Sequence, residues 1–118
     1  MEPSTEMRFS GWGTDADAGE LSDHVIEWLE QRFGAALGSR VPPPQAADVR
    51  LTKSRLSTRA AEKLSSRVGT ANVRTDHQTR LTHCAGKGYP DLLAVRAADK
   101  LLAPDAVVFP GDESDVRA

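Results

Sequence analysis

The chain has 118 residues, 39% hydrophobic but only 5% aromatic, which suits one ordinary domain with a thin core. Its single cysteine, Cys84, rules out an internal disulfide framework and fits a reducing compartment. The polar, acidic N-terminus is no signal peptide, and no stretch approaches the roughly 20 apolar residues of a membrane span, so a cytoplasmic protein without a transmembrane segment is expected. The net charge of -2 conceals a polarity along the chain. Residues 1–30 carry Glu2, Glu6, Asp15, Asp17, Glu20, Asp23, Glu27 and Glu30 against Arg8 alone. Residues 50–80 reverse the sign, with Arg50, Lys53, Arg55, Arg59, Lys63, Arg67, Arg74 and Arg80 against Glu62 and Asp76. These segments either carry solvated or mutually neutralising faces, or form an anion-binding stripe.

The first element in chain order is Arg8-Phe9-Ser10-Gly11-Trp12-Gly13, a glycine-spaced aromatic loop of the kind that lies across a protein surface. Leu21, Val25, Leu29 and Phe33, widened by Ile26 and Leu37, predict an amphipathic helix with Ser22 as its cap and Gly34 or Gly38 as its end. Val41-Pro42-Pro43-Pro44 reads as an extended connector. A second helix is expected from about Ser57 to Val68, apolar at Ala60, Ala61, Leu64 and Val68, basic at Arg59, Lys63 and Arg67, and ended by Gly69. Asp76 to Ala85 reads as a short capped helix broken by Gly86-Lys87-Gly88, and Tyr89 to Arg96 as a helix with Pro90 in its first turn, although Leu92 to Val95 alone would also suit a strand. Ala106 to Phe109 has the length and character of a buried parallel-type strand, and Asp112 caps a helix of about one turn. Such a strand and turn have no evident partner, so the sequence reads as the front of a larger protein whose chemistry lies beyond Ala118.

Three local patterns invite chemistry. A phosphate loop around Gly86-Lys87-Gly88 needs glycine at position 81 and a hydroxyl at 88, where Leu81 and Gly88 stand, so that motif is absent. His77 and Cys84 share a helical face, but His83 points elsewhere and no fourth ligand follows at a metal spacing, so no metal site is expected. Arg59, Lys63 and Arg67 form a basic ladder without interleaved aromatics or a recognition helix, which leaves a nucleic-acid module thinly supported.

Three segments, taken together, resemble the alkylglycerone-phosphate synthase group and its bacterial FAD-linked oxidase relatives. They are Arg8-Phe9-Ser10-Gly11-Trp12-Gly13, the stretch from Arg80 to Arg96 around His83-Cys84-Ala85-Gly86-Lys87-Gly88-Tyr89, and Ala103 to Arg117 around Val107-Val108-Phe109-Pro110-Gly111. The third is similar to the start of the FAD-binding domain in the vanillyl-alcohol-oxidase superfamily. Order and spacing match, whereas residues 40–75 match only loosely, and Cys84 and Gly88 stand where the pattern has a small residue and serine. The resemblance implies an α+β class, with a mainly helical N-terminal cap region over 1–102 and the first strand and helix of an FAD-binding domain at 103–118. It implies FAD as the cofactor of the whole enzyme and a small-molecule or lipid substrate, with no nucleic-acid partner and a homodimer as one open assembly. The expected reaction is acyl-to-alkyl exchange on acyl-dihydroxyacetone phosphate; an FAD-linked 2-hydroxy acid oxidase or dehydrogenase is the alternative. The flavin-binding glycine-rich loop and the catalytic residues lie outside the matched segments, so no catalytic residue carries over. His83, Lys87 and Tyr89, hydrogen-bond donors around a glycine turn, are the candidates for contact with flavin or substrate phosphate. A non-enzymatic anion-binding helical module is the reading from another class.

Overall fold

The computed structural model describes residues 7–17, 19–34 and 42–117, which fall into two compact units, one within 1–43 and one within 44–118. Glu2, Glu6, Leu37, Gly38 and Val41, all named above, lie outside the described residues.

In the first unit the aromatic loop closes on itself. The Arg8 amide donates to the Gly13 carbonyl at 2.8 Å, and Gly13 turns the chain at φ 71°, a conformation glycine adopts without cost. Arg8 reaches Asp15 at 3.4 Å, and the Thr14 amide and hydroxyl both donate to the Asp17 carboxylate. Helix α1 follows at Asp23–Phe33. Ser22 occupies the cap position in extended conformation but its side chain makes no capping bond, and Gly34, at φ 83°, ends the helix. None of the residues of α1 is buried.

The second unit is built around two extended segments that run side by side. The Leu101 amide donates to the Arg50 carbonyl at 2.8 Å and the Thr52 amide to the Leu101 carbonyl at 2.9 Å, a single parallel bridge between Leu51 and Leu101. Side chains then continue the ladder. The Ala103 amide donates to Thr52 Oγ1 at 3.0 Å, Ser54 Oγ donates to the Asp105 carbonyl at 2.7 Å, and the Arg55 amide donates to Asp105 Oδ1 at 2.9 Å. Short polar side chains thus take the place of backbone partners, as Ser, Thr and Asp readily do.

Helix α2, Thr58–Val68, starts where Ser57 Oγ accepts from the Ala60 amide and stops at Gly69, φ 87°. A 3-10 turn at Thr70–Asn72 leads into β1, Val73–Arg74. Helix α3, His77–Thr82, is capped by Asp76, whose Oδ1 accepts from the Thr79 amide at 2.9 Å. Helix α4, Tyr89–Arg96, carries Pro90 in its first turn, which settles in favour of helix a stretch that would also suit a strand. Leu92 and Val95 on α4 join Val49, Leu81 and Leu101 as the buried apolar core.

Strand β2, Val107–Val108, differs from the expectation of a parallel-type strand without a partner. It pairs antiparallel with β1, Val73 opposite Val108 and Arg74 opposite Val107, and the Phe109 amide extends the pairing to the Asn72 carbonyl. Its partner is a two-residue strand between a glycine turn and a helix cap, too short to give an alternating signal. Helix α5, Glu113–Arg117, follows Pro110-Gly111, with Asp112 Oδ1 accepting from the amides of Ser114 and Asp115. The class is α+β, helices with a two-stranded sheet among the described residues.

Candidate functional site

The stretch from Arg80 to Arg96 is the α3–turn–α4 corner, and its glycine turn is shaped by one carboxylate. Asp91 Oδ2 accepts from the Gly88 amide at 3.2 Å, and a Cβ built on Gly86 would lie 2.9 Å from the same oxygen. A Cβ at 86 would crowd that oxygen, so glycine there suits the close approach of the carboxylate that caps α4.

The three candidate donors stand in different surroundings. His83 ends α3, its Nδ1 2.8 Å from the Thr79 carbonyl and 3.1 Å from Thr82 Oγ1, and its ring meets Phe109 edge-on at 5.8 Å between centroids. That contact ties the end of α3 to the residue after β2. Lys87 is half-buried; loss of solvent draws its pKa down, and Cys84 is the charge partner that opposes the shift. Burial pushes the Cys84 thiol up, which works against a nucleophilic thiolate. Tyr89 is exposed at the start of α4. The His83 partners are thus Thr79, Thr82 and Phe109, while Lys87 belongs to the glycine turn and Tyr89 to the first turn of α4.

His77 turns one ring nitrogen to the core. Its Nε2 lies 2.9 Å from the Val49 carbonyl, where it can only donate, so that nitrogen carries a proton and fastens α3 to the core strand segment. Among the described residues no group of three or more His, Cys, Asp or Glu side chains could hold a metal ion. Arg59, Lys63 and Arg67 are exposed along α2, and none of them pairs with an acid among the described residues.

Two features were hidden in the sequence. Arg80, counted above with the solvated bases, is 7% exposed; its Nε donates to the Pro104 carbonyl at 2.7 Å and its terminal amine to the Thr52 carbonyl at 2.6 Å. It therefore clamps both extended segments from one helix. Beside them a shallow groove of about 440 Å³ runs between Thr52, Lys53 and Arg55 on one side and Leu102 to Asp105 on the other. Its walls are brought together by side-chain-to-backbone bonds across long sequence separation, which leave no periodic trace.

Among the described residues no helix is long and apolar enough to cross a membrane. No protein-family model matches the chain, and no solved structure matches it. What the fold defines by itself is a class: α+β, with a helix–glycine turn–helix corner and, among the described residues, a two-stranded ribbon. The chain is 41% identical over 105 residues to Protein Rv2250A of Mycobacterium tuberculosis, a match covering 89% of this chain and 70% of that protein. It belongs to the family of Protein Rv2250A.

Proposed function

We propose that these residues form the N-terminal part of an FAD-dependent enzyme resembling alkylglycerone-phosphate synthase, acting in the cytoplasm on a lipid or other small-molecule substrate. The observation that carries this reading is the ordered match of three segments, the last of which, Ala103 to Arg117, folds as strand, Pro-Gly turn and Asp-capped helix. A strand leading into a capped helix is the arrangement the resemblance expects where an FAD-binding domain begins. The residues at the corner fit a supporting role toward an anionic group: Lys87 supplies a cation and Tyr89 an exposed hydroxyl beside a glycine turn. His83 fits less well at Nδ1, which faces the Thr79 carbonyl, and retains Nε2 for another partner. When bound, FAD would supply the exchange chemistry, and these side chains would at most orient a phosphate against it.

The test is to purify the polypeptide translated from the complete reading frame and to measure flavin released on heat denaturation. Stoichiometric FAD, with affinity lowered by Lys87→Ala, supports the reading. A folded protein that neither retains nor binds FAD overturns it. The exposed, unpaired bases of α2 favour a second reading, a non-enzymatic module that binds an anionic polymer, which predicts salt-sensitive retention on heparin lost in Arg59→Ala/Lys63→Ala.

A further inference from the structure

The groove between the two extended segments is lined wholly by residues of the second unit, and its walls are fastened to each other. Arg80 bonds the carbonyls of Thr52 and Pro104, one on each wall, while Asp105 takes the Arg55 amide on its carboxylate and the Ser54 hydroxyl on its carbonyl. A ligand entering between walls already in place loses little affinity to ordering them. The volume of about 440 Å³ falls within the roughly 300–1,000 Å³ of small-molecule sites. None of the lining residues belongs to the α3–turn–α4 corner, so the groove is separate from the place where the flavin reading puts an anion.

Charge in the groove is unbalanced. Lys53 and Arg55 stand two residues apart on an extended segment, which sets them on one side of the chain, roughly 7 Å apart at the backbone. Both are exposed and neither meets a carboxylate side chain in an ion pair among the described residues, whereas Arg50 and Arg74 of the same basic stretch find Asp99 and Asp76. Asp105 is the acid of the groove, so two cations against one carboxylate leave a single positive charge there. The rest of its wall is apolar, Ala103 and Pro104 beside Leu102, which at 82% is the most exposed large apolar side chain among the described residues.

We propose that this groove binds a small organic monocarboxylate, its carboxylate held by Lys53 and Arg55 and its apolar part laid on Leu102 and Pro104. The planar guanidinium of Arg55 matches a carboxylate with two parallel donors, and covering Leu102 adds the apolar contribution. A monoanion cancels the single positive charge, whereas a dianion such as phosphate brings a second negative charge toward Asp105. The site does not rest on the flavin reading.

Proton–nitrogen correlation spectra of the whole chain, titrated with hexanoate, test it. Saturable shifts are expected at the amides of Lys53, Arg55, Leu102 and Ala103, with a dissociation constant in the low millimolar range. Hexanol, which keeps the chain without the charge, and acetate, which keeps the charge without the chain, bind at least about tenfold more weakly. Lys53→Ala/Arg55→Ala loses at least about tenfold in hexanoate affinity. Asp105→Asn keeps an acceptor for the Arg55 amide and removes the opposing charge, so its affinity rises roughly threefold. The proposal is overturned by shifts that do not saturate below about 50 mM, by hexanol or inorganic phosphate binding as tightly as hexanoate, by unchanged affinity in Lys53→Ala/Arg55→Ala, or by weakened binding in a folded Asp105→Asn.

Discussion

Arg80 and Arg67 are the same residue type in the same basic stretch, yet burial gives them opposite roles. The Arg80 guanidinium satisfies two carbonyls on separate extended segments while almost fully buried, and such charge-assisted bonds contribute about 1.5–3 kcal/mol each. Arg80→Ala is therefore expected to lower unfolding free energy by about 3 kcal/mol or more, measured by urea denaturation, whereas exposed Arg67→Ala stays within about 0.5 kcal/mol. Equal effects would mean the clamp contributes nothing beyond a surface charge. Ala98 presents the reverse case. It sits at φ 52° just after α4, a left-handed conformation in which a Cβ costs about 1–2 kcal/mol. Ala98→Gly relieves that strain and loosens the unfolded chain, so a net gain of about 0.5–1 kcal/mol is expected from the same titration.

Short helices here depend on their caps more than on their length. Helix α3 has six residues, and Asp76 holds its first turn; the bond from the Thr79 amide is the main cause that lowers the Asp76 carboxyl below its ordinary value. Asp112 does the same at α5, held down first by the Ser114 hydroxyl and then by the Asp115 and Ser114 amides. Both folded-state values lie below the unfolded one, so their contribution is complete above about pH 4 and fades as pH falls through the folded values. Asp76→Asn keeps an acceptor but cannot titrate. It should cost only a few tenths of a kcal/mol at neutral pH and flatten the acid limb of a stability-versus-pH curve, while Asp76→Ala costs about 1 kcal/mol. An unchanged acid limb in Asp76→Asn would remove the cap from the causes of acid sensitivity. The Gly86 turn is tested in parallel: Gly86→Ala displaces the Asp91 carboxylate, and the loss should appear as reduced helicity of α4.

At the scale of the molecule, what the sequence makes legible follows the range of the forces. Helices α1 and α2 were readable because their apolar spacing and glycine boundaries are local, α4 was read from Pro90 against a strand alternative, and the Asp76 cap acts within three residues, whereas Ser22 makes no capping bond and the Ser57 cap was not foreseen. The pairing of β1 with β2, the ladder from Arg50 to Asp105 and the burial of Arg80 were not, because each joins segments far apart in sequence through polar bonds that leave no local pattern. The candidate donors were found by residue type around Gly86, but the Thr79 contact of His83 came only from the turn of α3. The same long-range bonds decide where cooperativity resides. The buried apolar side chains Val49, Leu81, Leu92, Val95 and Leu101 all lie within 44–118, as do the Arg80 clamp and the ladder, whereas α1 contributes no buried residue. A polypeptide of residues 44–118 should accordingly unfold in one cooperative transition. With a core of five aliphatic side chains and no buried aromatic, its stability should not exceed about 3–5 kcal/mol. Adding Arg80→Ala to that piece should remove most of this and abolish the transition near room temperature. Urea melts of the two 44–118 polypeptides decide the matter: if the parent piece shows no transition, the first unit is needed to complete the core, and if the Arg80→Ala piece melts like its parent, the clamp is not what joins the segments.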